Sequence, residues 1–176
     1  MGAVSLRVLG GFALTVDGQE LAVGSERHRL LLTFLALRGG RAGRAAVLRA
    51  VWPDEEEGGA RERLSEATSR LRRGLGSERL LADGDDLLLA GPIDVDAIRF
   101  EAEVRAAREA DDPTERERSW ARAEALHQGE LLPGVWVDWV VERREELVEL
   151  LREALEGLCE RHRQTGRPTE ALRLAR

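Results

Sequence analysis

Two Asp-Gly dipeptides bracket the first half of this chain, and they constrain its fold more than any other feature. Asp17-Gly18 lies between the apolar runs Phe12–Val16 and Glu20–Val23, and Asp83-Gly84 between Leu80–Ala82 and Leu87–Leu89. Asp-Gly between two such runs predicts a β-hairpin, because both turn residues must tolerate positive φ. Val4 to Val8 alternates weakly and predicts one more strand, so the N-terminus reads as a small antiparallel sheet. Between the hairpins the period changes to that of helices. Leu30, Leu31, Phe34, Leu35 and Leu37 mark a helix over about 27–37, with Ser25 available as its cap and Gly39-Gly40 as its stop. Val47, Leu48 and Val51 mark a second over about 44–52, ended by Pro53. A third runs from about Ala60 to Leu75, ended by Gly76, after the acidic loop Asp54-Glu55-Glu56-Glu57-Gly58-Gly59. The short glycine-bearing link between the first two helices fits a helix-turn-helix. The predicted order is sheet, three helices, hairpin.

Gly91-Pro92 marks a boundary, and everything after it reads as helical: about 94–110, 113–127, 137–164 and 168 onward. Pro113 and Pro168 sit where first-turn prolines belong. The predicted domains are therefore 1–91 and 92–176, the second cut short within its last helix. Charge divides the same way. Residues 1–91 carry 13 Arg and 13 acids, whereas residues 92–176 carry 14 Arg and 20 acids. Basic segments in a neutral half beside an acidic half predict two units with different partners. The tripeptide Glu-Ala-Leu recurs at 124–126, 153–155 and 170–172, a hint of helix-pair repeats. Such repeats bury their faces only against neighbours. The apolar residues Ala171, Leu172, Leu174 and Ala175 therefore predict a chain that continues, or a last helix docked on another copy.

Catalysis finds little support. Cys159 is the only cysteine, which excludes a disulfide framework within the chain and a cysteine-built zinc site. His28, His127 and His162 fall on different helices without metal-ligand spacing. Gly39-Gly40-Arg41-Ala42-Gly43-Arg44 resembles a phosphate loop only superficially, since it lacks the Gly-Lys-Ser/Thr ending and follows no strand. No apolar run reaches the roughly 18 residues that span a membrane, and the start lacks a secretory signal pattern. The expectation is a cytoplasmic non-enzyme without cofactor or metal. Trp120, Trp136, Trp139 and Cys159 read as packing residues of the helical half.

The third helix is the informative one. At about 100° per residue, Ala60, Leu64, Ala67, Thr68, Leu71 and Leu75 form one face. Glu62, Arg63, Glu66, Ser69, Arg70 and Arg73 form the other, with Arg72 on the flank. An apolar stripe opposite an Arg-bearing face suits a helix that docks on a scaffold and enters the DNA major groove. Arg pairs bidentately with guanine, and Glu66 can accept from cytosine N4. On this helix alone, an ordinary solvated amphipathic helix explains the pattern equally well. Its place after two helices and before a hairpin favours a winged helix. Arg63, Glu66, Ser69, Arg70 and Arg73 are then candidate DNA contacts, with Arg44 and Arg72 as candidate phosphate contacts.

Residues 1–91 resemble an OmpR/PhoB-type winged helix-turn-helix. The carrying segments are Arg27-His28-Arg29-Leu30-Leu31-Leu32, Val51-Trp52-Pro53-Asp54 and Ser69-Arg70-Leu71-Arg72-Arg73-Gly74-Leu75-Gly76. Residues 92–176 resemble the bacterial transcriptional activator domain, a tetratricopeptide-like module, through Asp94-Val95-Asp96 with Phe100, Gly129-Glu130-Leu131-Leu132-Pro133-Gly134, and Trp139 with Glu142-Arg143. Together they resemble the SARP-type activators. The resemblance implies a mainly α fold with a small β part: an N-terminal antiparallel sheet, a C-terminal hairpin wing, then a helical domain. It implies binding to direct repeats in double-stranded promoter DNA and recruitment of RNA polymerase, with Asp54, Glu55, Glu56 and Glu57 as the polymerase-facing loop. It also implies a homodimer or partner contact through the helical domain. The chain departs from the pattern at the wing, where Asp83, Asp85 and Asp86 would repel phosphate. A winged helix that no longer binds DNA and serves as an interaction module is the alternative.

Overall fold

The computed structural model describes residues 3–174, apart from the side chains of 57, 168, 171 and 174. It is mainly helical with a small sheet part, and it divides into two compact units. The first comprises residues 1–8 and 12–95; the second comprises residues 9–11 and 96–176.

In the first unit, β1 (Val4–Arg7) pairs antiparallel with β2 (Ala13–Val16), and β2 with β3 (Gln19–Glu20). Val4 and Leu6 point inward while Arg7 is exposed, the period of two that a half-buried strand requires. Asp17 and Gly18 form the turn with φ of 52° and 82°, the positive values for which Asp-Gly is suited. Three helices follow: α1 (Glu26–Ala36), α2 (Arg44–Val51) and α3 (Glu57–Leu75). The short strand β4 (Arg41–Gly43) lies between α1 and α2, the hairpin of β5 (Leu80–Asp83) and β6 (Asp86–Leu89) follows α3, and β7 (Ile93–Val95) ends the unit. Leu30, Leu31, Leu35, Val47, Val51, Leu64, Leu80 and Leu87 are nearly solvent-free and form the core.

Several expectations need correction. Asp94 and Val95, read as the start of a helix, belong instead to the strand Ile93–Val95, parallel to β1 at the edge of the first sheet. Arg41–Gly43, between α1 and α2, is a strand paired to β6, so this link is part of a three-stranded sheet, not a plain turn between helices. Both strands have three residues, too few for a period to show. The link also depends on Gly40. Its carbonyl accepts from Leu89 N–H at 2.7 Å, and a Cβ there would lie 2.6 Å from the Leu89 oxygen. Ser25 occupies the N-cap of α1, but its side chain makes no capping bond. The third helix starts at Glu57 rather than Ala60, so Gly58 and Gly59, read as loop, belong to its first turn. In the second hairpin Asp83 pairs with Asp86, so the two turn residues are Gly84 and Asp85.

The second unit consists of the helices Asp96–Glu109 (α4), Pro113–Leu126 (α5), Asp138–Gln164 (α6) and Pro168–Leu174 (α7). Asp112 caps α5 by accepting from Thr114 N–H at 3.1 Å. Phe100, Val104, Ala107, Ala123, Val140, Leu147, Ala154 and Leu158 form its core. Residues 9–11 pack into it. Leu9 N–H donates to Asp96 Oδ2 at 3.0 Å, and Gly10 N–H to the Glu130 carbonyl at 2.9 Å. Trp136 and Cys159 are not core residues. Trp136 is 79% exposed beneath the Arg144 guanidinium, and Cys159 is partly exposed on the outer side of α6. The apolar period that suggests burial carries no sign of which helical faces find neighbours. Leu172 is 65% exposed, and Arg173 ties α7 to Glu124 of α5 at 3.2 Å. The side chains of Ala171 and Leu174, and the whole of Ala175, lie outside the described residues.

Half-buried His127 lies edge-on to Phe100, with ring centroids 5.2 Å apart. Burial pushes its pKa below the ordinary histidine range, against a smaller opposing effect of Asp96. A depressed histidine pKa contributes stability above its unfolded value and loses it as pH falls. The helical unit should therefore melt at a lower temperature at about pH 5.5 than at about pH 7.5. The decrement should shrink in His127→Gln, followed by circular dichroism; an equal decrement in the variant would assign the pH effect elsewhere.

Candidate nucleic-acid interface

The two faces of α3 have separate roles. Ala60, Leu64, Ala67, Thr68, Leu71 and Leu75 are all buried, at 2–8% exposure, against the rest of the first unit. Glu62, Arg63, Ser65, Glu66, Ser69, Arg70 and Arg73 are exposed. All but Arg63 line one surface depression.

The exposed arginines are not equivalent. Arg63 Nε lies 2.6 Å from Glu55 Oε2, so the acidic loop holds it. Arg70 Nη2 bonds Glu66 Oε1 at 2.5 Å, one turn away. Arg73 is exposed and has no ion pair among the described residues. Arg72 donates its Nε to the Leu80 carbonyl at 2.7 Å and is half-buried, which anchors β5 to α3. Arg44, at the start of α2, is exposed. It lines a cavity of about 500 Å3 together with Arg61, Leu48, Leu64 and Asp85. Arg61 was not singled out from the sequence, because it lies on the flank of the α3 wheel next to apolar Ala60.

On the other side of α3, Arg63, Glu66 and Arg70 border a small cavity of about 140 Å3 with His28, Arg27 and Trp52. Burial, then the Arg70 charge, lowers the His28 pKa. His28 is accordingly neutral at pH 7 and adds no cation to this face.

The acidic hairpin has a counterion that the sequence reading missed. Arg41 lies 3.2 Å from Asp83 Oδ2 and 2.6 Å from Asp86 Oδ2. Two carboxylates directly opposite in a hairpin repel, and Arg41 offsets this repulsion. The Asp85 backbone carbonyl accepts from Arg44 N–H at 2.7 Å, fixing the hairpin tip near the start of α2. In the acidic loop, Asp54 and Glu56 are exposed and Glu55 is half-buried; the side chain of Glu57 lies outside the described residues. Among the described residues no group of three His, Cys, Asp or Glu is arranged to hold a metal. None of the described helices is long and apolar enough to cross a membrane.

Residues 95–176 match the family described as bacterial transcriptional activator domain. The chain is also similar to the regulatory protein AfsR of Streptomyces coelicolor, with 30% identity over 177 positions. In both respects the chain is similar to the SARP-type regulators. The AfsR match covers 97% of this chain and 18% of AfsR. The fold is similar to that of Mycobacterium tuberculosis EmbR, solved in complex with a low-affinity phosphopeptide. The TM-score is 0.79 and the identity 25%, and the match covers 95% of this chain and 47% of EmbR. The chain thus spans less than a fifth of AfsR and under half of EmbR. The matched family is a domain of transcription regulators, not of enzymes.

Proposed function

We propose that this chain is a SARP-type, sequence-specific DNA-binding transcriptional activator working in the cytoplasm, without a cofactor. In this reading residues 1–91 are a winged helix-turn-helix, with α3 in the major groove and the β5–β6 hairpin as the wing. Residues 92–176 are the tetratricopeptide-like activator domain, through which two copies associate. The partners are double-stranded promoter DNA and RNA polymerase, the latter touching the acidic loop Asp54–Glu57. One observation supports the reading most: α3 buries its whole apolar face and presents Arg63, Ser69, Arg70 and Arg73 outward, beside the hairpin and the start of α2. A helix held this way can offer long cationic side chains to base edges and phosphates. The test is a fluorescence-anisotropy titration on the gene's own upstream DNA and on a scrambled duplex, at several salt concentrations. Preference for the upstream DNA with a steep salt slope is the expected result.

A second reading has its own observation. Glu55 and Glu66 already neutralise Arg63 and Arg70, and the hairpin carries three acids. Under it the first unit is a protein-interaction module, and the titration stays flat on both duplexes.

The acidic loop yields a separate expectation. Replacing Asp54, Glu56 and Glu57 by Ala should spare DNA binding and reduce transcription. Glu55→Gln should instead tighten DNA binding about two- to fivefold, the worth of an exposed ion pair that no longer competes for Arg63. Equal loss of binding and transcription in the triple variant would make the loop a structural element only.

A further inference from the structure

The helical unit leaves one apolar strip uncovered. Val148, Leu151, Leu155 and Cys159 run along the outer side of α6 and line a groove of about 460 Å3, bordered by Arg152, Glu156 and Arg163. Val148 is 51% exposed, whereas Leu147, Ala154 and Leu158, on the inner face of α6, are at most 3% exposed. The bordering charges follow a pattern. At about 100° per residue, Glu145, Arg152, Glu156 and Arg163 all fall within roughly 40° of each other, in one row beside the strip. Along that row the signs alternate: minus, plus, minus, plus. The gaps are seven residues, then four, then seven.

A row with symmetric gaps and inverted signs at its two ends is its own complement. Turned end for end about residue 154, it places Glu145 opposite Arg163 of a second copy and Arg152 opposite Glu156 of a second copy. Each contact then occurs twice, as an isologous two-fold interface requires. The same turn lays the Val148 end of the strip against the Cys159 end of its counterpart, so apolar surface meets apolar surface. The row is available for this. Arg152, Glu156 and Arg163 are 59%, 65% and 67% exposed, and their pairs among the described residues lie within α6, Arg152 with Glu149 and Glu156 and Arg163 with Glu160. Glu145 is exposed.

We infer that two copies of this chain associate through an antiparallel α6–α6 contact centred between Arg152 and Glu156. This deepens the two-copy reading above by naming its surface. The experiment is sedimentation velocity on the full chain without DNA, over a micromolar concentration series. Wild type should show a reversible monomer–dimer equilibrium, and Leu155→Glu should abolish the dimer. Glu145→Arg or Arg163→Glu alone should weaken it about tenfold or more, since each places like charges together twice. An equimolar mixture of the two single variants should recover the wild-type equilibrium, because every reversed charge then faces its opposite. The double variant should recover it as well. Circular dichroism confirms folding, and all the substitutions lie on the exposed or half-buried outer side. A dimer unmoved by these changes overturns the α6 contact and leaves the two-copy reading standing. A wild-type chain that is monomeric throughout overturns both. Weakening by the single variants without recovery in the mixture overturns the antiparallel register.

Discussion

Replacing Arg63, Arg70 and Arg73 together by Ala should lower affinity for the specific site by roughly 100-fold or more and leave the circular dichroism unchanged. The magnitude follows from the roles available to them. One base-reading Arg is worth about 1–3 kcal/mol, and each phosphate contact adds about one unit to the salt slope. The structure also ranks the three. Arg63 and Arg70 must leave Glu55 and Glu66 before they can bind DNA, so each contributes its DNA contact less an existing ion pair. Arg73 leaves no partner among the described residues, so Arg73→Ala should be the costliest single substitution and should flatten the salt slope most. If Glu66 and Arg70 read one base pair, as proposed, Arg70→Ala should relax preference there more than it lowers overall affinity. Circular dichroism is the control because these side chains are exposed and hold no part of the core. If the triple variant binds the specific site like wild type, the recognition role of α3 is wrong and the interaction-module reading takes over.

The part of this interface legible in the sequence was the part set by periodicity. Six positions of α3 recur at helical spacing, and the same six are buried, because an amphipathic helix has one way to hide its apolar stripe. The Asp17-Gly18 hairpin was legible because few dipeptides tolerate two positive φ values, whereas in the second hairpin Gly84 alone has positive φ and the turn is shifted by one residue. Pairing between distant side chains was not legible. Arg41 neutralises Asp83 and Asp86 from about 45 positions earlier in the chain, and only the register of Arg41–Gly43 against β6 brings them together. Glu55 reaches Arg63 because α3 starts three residues sooner than its apolar period does. The three-residue strands at 41–43 and 93–95 are defined by backbone pairing alone, to which sequence alternation is blind.

Arg144→Met should destabilise the helical unit by roughly 1–3 kcal/mol, the cost of a buried carbonyl left without its donor. Arg144 is 8% exposed, an unusual state for a charged side chain. It belongs to α6, yet it satisfies the backbone of the preceding loop. Its Nε donates to the Leu131 carbonyl at 2.7 Å and its Nη2 to the Leu132 carbonyl at 2.5 Å. The Leu132 carbonyl also accepts from Val135 N–H at 3.1 Å, so Leu131 is the carbonyl that depends on Arg144. Leu132 has φ of 44°, in the left-handed region that a side chain seldom adopts, and Leu131 and Leu132 are buried. Glu130, 3.8 Å away and about half-exposed, contributes little to the charge balance, so the two carbonyls and the Trp136 ring are what hold the guanidinium. Met keeps the aliphatic packing and removes the donors, leaving the buried Leu131 carbonyl unpaired at about 1–3 kcal/mol and the Leu132 carbonyl with Val135 N–H as its donor. Arg144→Lys should recover only part of the loss, because a point ammonium cannot span two carbonyls as the planar fork does. Thermal unfolding followed by circular dichroism would measure the difference, and a shift in melting temperature of about 4 °C or more is expected for Met. A shift below about 2 °C would mean that water replaces the guanidinium at the Leu131 carbonyl, and that the loop holds its shape without Arg144.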